Sequence, residues 1–265
     1  MNYKESTNTV MTYLGLERKP VGVKFLFTEE DYNKCDIPER GRKVAYCNSV
    51  NLASRGEAMK LRKEHQGCFN GSVALGFNPA PPKMANGEAR VNLGIYDNVE
   101  TSKSVSDTMQ FLKEEPFGLV VMPLDMFEED PDVVIVVGKS YNIMRLIQGY
   151  SYHNGYSPNM QTVGLQAVCH DLTTYPYNTG DINITFLCPG TRLVADWQQD
   201  EIGIGMAAKH WFGTVEGVVK TTNPFERDNN KKAIVDRMKE NGIDPSSIEF
   251  GKNYDKGGYS GGIVE

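Results

Sequence analysis

Two apolar runs set the terms for the fold: Phe117-Gly118-Leu119-Val120-Val121-Met122-Pro123 and Pro131-Asp132-Val133-Val134-Ile135-Val136-Val137-Gly138. They are the clearest strands in the chain. The second is apolar on both faces, which places it near the centre of a sheet, and a strand buried on both faces needs a covering layer on each side. Ser140 to Tyr150 supplies one such layer, with a Ser cap and apolar residues at helical spacing.

Other segments extend this frame. Val10, Met11, Leu14 and Leu16 mark a first helix over residues 6–16, and Val21, Val23, Phe25 and Phe27 line one face of a strand. A short helix is expected from Val44 towards Ala58, a helix over 102–113, and further strands over 181–187 and 201–208. The fold class is α+β, a mixed sheet covered by helices, with two pseudo-equivalent lobes meeting at a cysteine-lined seam as one arrangement. Residues 1–220 read as a single α+β domain with half-units 6–115 and 116–220. Residues 221–265 read as a charged, then Gly-rich, C-terminal extension.

The formal net charge of −6 disfavours a surface that tracks nucleic-acid phosphates and points to a small-molecule substrate or a redox partner protein. No apolar run approaches the roughly 18 residues that would cross a bilayer, and Met1 to Ser6 lack the pattern of a signal peptide, so a cytoplasmic location is expected. Assembly as a homo-oligomer stays open. Five cysteines, an odd number, in a reducing compartment suggest free thiols serving a metal, a cluster or catalysis.

Four of the five carry the stronger signal. Cys68 stands between Gly67 and Gly71, and Cys188 is followed by Pro189, Gly190 and Arg192, so the backbone can approach a bulky group in both places. Cys47 lies near an expected helix start, where the macrodipole favours a thiolate, and Cys169 follows a small-residue run. Cys35 sits in a polar surface excursion and is set apart. Cys47 and Cys68 are about 21 positions apart, and Cys169 and Cys188 about 19, which suggests two related half-units that each bring two thiols to a common seam. Four thiolates suit a [4Fe–4S] cluster or a four-cysteine zinc site, and the absence of a C-x2-C knuckle favours the cluster. Arg192 adds a fixed positive charge beside that turn.

The segments Pro20 to Leu26, Tyr46-Cys47, Cys68 with Gly71 and Ala74-Leu75-Gly76, Pro131 to Val134, Met144 to Gln148, Val168-Cys169, Cys188-x-Gly-x-Arg192 and Asp200-Glu201 together resemble domain-of-unknown-function family 169. The resemblance runs from about residue 6 to about residue 210. It implies an uncharacterised archaeal and bacterial family, common in anaerobic prokaryotes, with its four cysteine positions filled here. Cys68-Phe69-Asn70-Gly71 departs from the family's usual Cys-Pro-Gly-Gly.

The expected function is therefore a cytoplasmic iron–sulfur protein holding a [4Fe–4S]-type cluster on Cys47, Cys68, Cys169 and Cys188, with Arg192 beside it, in a redox or substrate-binding role. An iron–sulfur-dependent oxidoreductase or lyase would fit. The alternatives are a thiol-based enzyme using Cys188 or Cys68, and a metal-free small-molecule binding or scaffold module, with zinc or no cofactor in place of the cluster. Cys169-His170 is a weak candidate dyad because adjacent residues point in different directions. Gly203-x-Gly205 lacks the rest of a dinucleotide fingerprint.

Overall fold

The structure is a computed structural model and describes residues 1–156 and 159–248. Helix α1 (Tyr3–Leu14) starts at Asn2, whose side chain accepts from Glu5 N–H while Glu5 accepts from Asn2 N–H. Gly15, in the left-handed region, ends it. Strand β1 (Val21–Leu26), helices α2 (Glu29–Lys34) and α3 (Tyr46–Ser54), strand β2 (Met59–Leu61) and helix α4 (Phe69–Ala74) follow. Short helices α5 (Pro82–Ala85) and α6 (Glu88–Asn92) then lead through α7 (Val99–Thr108) to strands β3 (Gly118–Pro123) and β4 (Val133–Lys139). Helix α8 (Ser140–Asn154), a π-helix (Ala167–Thr174), α9 (Tyr175–Thr179), β5 (Ile182–Thr185), α10 (Pro189–Ala195) and β6 (Glu201–Ala207) come next. Helices α11 (Trp211–Phe225) and α12 (Asp228–Glu240) follow β6, with a short 3-10 turn (Pro245–Ser247) beyond them.

The strands form one sheet in the order β2-β3-β1-β4-β6-β5. All pairings between these strands are antiparallel, so within the α+β class the sheet is antiparallel and not mixed. The two most apolar runs, β3 and β4, do not touch as strands, because β1 lies between them and pairs with both. The order has an internal symmetry. In the set β1 to β3 the third strand inserts between the first two, and β6 does the same between β4 and β5. The division between the sets falls after β3, beyond residue 115, because β3 pairs with β1 and β2.

Side-chain alternation sends successive residues of β4 to opposite faces. Val133, Ile135 and Val137 join Val21, Val23 and Phe25 of β1 and Leu119 and Val121 of β3 in one core, under α3 and the π-helix. Val134 and Val136 join Ile204 and Met206 of β6 in the other core, under α1, α8, α11 and α12. This second layer is closely built: a Cβ on Gly149 or Gly217 would run into the main chain of the facing helix, so α8 and α11 meet backbone to backbone. Arg145 is 1% exposed between them, with Nε 2.8 Å from Glu226 and other donors on Gln148, Thr221, Thr222 and the Val218 carbonyl. The domain limit at residue 220 therefore falls inside a continuous helix. Helix α12 also belongs to this core through Ile234, Val235 and Met238, and Arg237 Nε donates to Thr12 O at 2.6 Å. The Gly-rich stretch 251–262 lies outside the described residues.

On the first face, the π-helix lies directly on β6. A Cβ on Gly203 would come within 2.5 Å of a Leu172 methyl, and one on Gly205 would overlap the Leu172 carbonyl. Those glycines are a packing floor, which accounts for their spacing without a nucleotide. Gly205→Ala is expected to lower stability by about 1–3 kcal/mol through overpacking, while Gly190→Ala, where a Cβ meets nothing within 4 Å, is expected to be near neutral. Urea unfolding of the two variants compares them directly.

Candidate functional site

The first face carries all four of the singled-out cysteines. Cys47 is the second residue of α3, Cys68 the N-cap of α4, Cys169 a member of the π-helix and Cys188 the N-cap of α10. Cys47, Cys169 and Cys188 pack against the core of that face. Gly71 stands between the other contacts: a Cβ there would lie 3.8 Å from Cys68 Sγ and 3.9 Å from Cys169 Cβ. Each strand set contributes its pair in the same way. One thiol lies in the connection from first to second strand, and the other in the connection from second to third.

The thiols of Cys47 and Cys169 are the ones whose proton affinity the other site cysteines influence. Burial pushes the Cys47 thiol up to about 11; the Thr191 hydroxyl opposes this, and Cys188 and Cys68 add to it. Burial also holds Cys169 well above the ordinary thiol value, with Cys47, Cys68, Cys188 and Asp171 acting in the same direction. Cys35 lies elsewhere, at the end of α2, where its carbonyl accepts from Lys60 Nζ at 2.8 Å. No three of the cysteine sulfurs lie within 4.8 Å of each other. Among the described residues that spacing is met by Glu39, Glu64 and His65, a surface set in which Arg62 already pairs with both glutamates.

Side chains from several elements hold this arrangement. Asn48 Nδ2 donates to Val194 O at 3.1 Å and Asn51 Nδ2 to Ala195 O at 2.5 Å, so α3 fastens the end of α10. Tyr46 and Thr173 hydroxyls meet at 2.9 Å and tie α3 to the π-helix. Gln166 Nε2 donates to Asn70 O at 3.0 Å while its Oε1 accepts from Arg90 at 2.9 Å, joining α4 to the start of the π-helix. The non-glycine residues with left-handed φ among the described residues are Gln166, Leu187 and Asp196. The first precedes the π-helix, the second precedes Cys188, and the third ends α10. Such conformations cost on the order of 1–2 kcal/mol each and collect where the surroundings must hold a geometry for function. A π-helix is a similar marker.

Two sequence expectations look different in detail. Arg192 directs its guanidinium at the carbonyls of Phe186, Gln198 and Glu201, which clips the Cys188 turn to the start of β6. His170 uses both ring nitrogens: Nδ1 meets Asp171 Oδ1 at 2.8 Å and Nε2 accepts from Gln110 N–H at 2.9 Å. It has no free nitrogen to serve as base for Cys169. Glu201, for its part, pairs with Arg18 at 2.5 Å. Thr191, Gln166 and the π-helix were not foreseen from the sequence. Thr191 is 3% exposed and its Oγ1 has no hydrogen-bond partner of ordinary geometry among the described residues.

These features define an open antiparallel α+β sheet protein with four thiols gathered on one face. The chain belongs to domain-of-unknown-function family 169, described as uncharacterised ArCR, whose profile matches residues 9–217. It is 27% identical over 222 residues to an uncharacterized protein of Methanocaldococcus jannaschii, covering 81% of this chain and 93% of that one. No solved structure matches. No helix among the described residues is long and apolar enough to cross a membrane.

In the metal-free protein the raised Cys47 value has a signed consequence. The folded state keeps a proton that an unfolded thiol, with its ordinary value of 9.0, has released, so stability present below pH 9 is lost as pH rises towards about 11. Cys169 acts with the same sign. The expected result is a urea midpoint that falls over this interval more steeply in wild type than in Cys47→Ala. Equal slopes would mean that Cys47 does not titrate in this way.

Proposed function

We propose that the chain holds a [4Fe–4S]-type cluster on Cys47, Cys68, Cys169 and Cys188 and uses it in a redox or substrate-binding role. The supporting observation is that four cysteines come to one face of the sheet, delivered in pairs by two similarly ordered strand sets. Four thiolates so placed would repel one another in a poorly solvated site, and the positive charge of bound iron offsets that repulsion. Their protons must leave on loading, so uptake is favoured by rising pH until the apo fold weakens.

The spacing favours a cluster over a single ion. Zinc with Zn–S bonds of about 2.3 Å would bring its sulfurs about 3.8 Å apart, whereas no three sulfurs here lie within 4.8 Å. A cluster interposes its own iron and sulfide and accepts ligands that stand farther apart. A thiol nucleophile is supported less well, since the histidine nearest in sequence to a site cysteine is engaged at both nitrogens. The cluster would suit an oxidoreductase or a lyase in a reducing cytoplasm, acting on a small molecule or with a redox partner protein. Arg192 would act by fixing the Cys188 turn.

Protein purified and reconstituted without oxygen is expected to be brown, with absorbance near roughly 400 nm and matched iron and sulfide. Serine at Cys47, Cys68, Cys169 or Cys188 is expected to lower iron retention, because a hydroxyl is a poorer soft-metal ligand. Cys35→Ser is expected to retain it. Stoichiometric zinc without sulfide, or colourless protein after reconstitution, would overturn the cluster.

A further inference from the structure

We propose that the hollow between the Arg40-Gly41-Arg42 loop and the end of α3 is a binding site for a small acid, held through its carboxylate or phosphate oxygens. The hollow measures about 410 Å³ and is lined by Arg40, Gly41, Arg42, Leu52 and Glu57. None of the four site cysteines lines it, so a ligand there is independent of what the thiols hold. Arg40 is under-satisfied in its place. Its side chain is only 14% exposed, yet its one side-chain hydrogen bond among the described residues runs from Nη1 to Glu57, itself 54% exposed, at 3.3 Å. Nε is buried without a partner. An ordinary N–H···O bond spans about 2.7–3.2 Å, and a buried donor left unmade costs about 1–3 kcal/mol, more when it is charged. Arg42 is exposed, and its side chain has neither hydrogen bond nor ion pair among the described residues. With Glu57 the only acid in the lining, the hollow is left with excess positive charge in a chain whose net charge is −6.

The fold presents both arginines on a loop fastened at each end. Arg40 N–H donates to Lys60 O at 3.0 Å, Val44 N–H donates to His65 O at 3.0 Å, and Val44 O accepts from Gly67 N–H at 2.7 Å. Gly41 keeps the tip of the loop uncrowded, since even a Cβ there would meet nothing within 4 Å. Leu52 of α3, packed against the core, gives an apolar wall for a short carbon chain. Guanidinium forks match the paired oxygens of a carboxylate or phosphate, and such oxygens would take the place of the Glu57 carboxylate on Arg40. The size is that of a small-molecule site, and the acidic chain as a whole disfavours a nucleic-acid strand.

Succinate and inorganic phosphate, titrated separately into the full-length protein by isothermal calorimetry, test this site. Saturable binding of at least one of them, one per chain, is expected. Arg42→Gln, at an exposed position, is expected to weaken it about tenfold, the loss of one charge-assisted bond. Lys232→Gln removes the same charge from α12, in the layer on the other side of the sheet, and is expected to change nothing. Glu57→Gln is expected to tighten binding, because the competing carboxylate is gone. Circular dichroism checks the fold of each variant. A preference for succinate or for phosphate upholds the site and identifies the oxyanion. Saturable binding of neither, equal weakening by Arg42→Gln and Lys232→Gln, or no gain in Glu57→Gln overturns it. Iron and sulfide content, measured on the same samples, reports on the cluster separately.

Discussion

The arrangement of the thiol face depends on one contact, the seating of the Leu172 main chain on the glycine floor of β6. A side chain at position 205 would occupy the space of the Leu172 carbonyl, so the π-helix can lie this close only because Gly203 and Gly205 leave the strand bare. Proximity to the sheet fixes the height of Cys169, three residues earlier in the same helix. It also brings Asp171 within reach of β5, where Thr185 donates to its carboxylate at 2.8 Å and Asn183 donates to its carbonyl at 3.1 Å. Burial pushes the Asp171 carboxyl up, while His170 and the Thr185 hydroxyl pull it down. The pair is thus a satisfied polar anchor of the helix, and its chemistry is spent on position.

The strand order explains how separate stretches of sequence reach one place. The sets β1-β2-β3 and β4-β5-β6 share one strand order on either side of the central antiparallel β1/β4 pair, so their connections take corresponding places. The connections that carry Cys47 and Cys68 therefore meet those that carry Cys169 and Cys188. The opposite face has the reverse task. There Arg145, Glu226 and their partners form a buried, hydrogen-bonded set between α8, α11 and α12, and no thiol joins that core. A rigid layer behind the sheet lets the strained turns at Gln166, Leu187 and Asp196 persist on the front.

The sequence made some of this legible for clear physical reasons. β4 could be read because both its faces are apolar, and the partition of Cys35 from the other cysteines followed from its polar, glycine-poor surroundings. Gly67, beside Cys68, does mark a close approach, but to the Val44 main chain, where a Cβ would come within 2.8 Å. Other parts were hidden. β2 has three residues, too few to show a period, and α11 contains Gly217, which resembles a helix breaker until the facing Gly149 is seen. The π-helix has no sequence signature, since its i→i+5 bonds depend on the surface beneath it. Thr191 looked like filler in a Pro-Gly turn, because nothing in its sequence neighbourhood shows that its main-chain N–H faces Cys188 Sγ.

Arg192 illustrates why charge in a sequence is a poor guide to where that charge acts. A guanidinium next to a cysteine turn suggested a positive field at the thiols, yet its donors are taken by main-chain carbonyls of Phe186, Gln198 and Glu201. Binding carbonyls leaves the formal charge in place but fixes its position on the outer side of the turn, where solvent screens it. Short-range donors then matter more than the cation. The Thr191 N–H donates to Cys188 Sγ at 3.4 Å, and a hydrogen bond in a poorly solvated site acts more strongly than a screened charge farther off. The nearby arginine serves to hold that donor in place, through the carbonyls of Phe186 and Glu201.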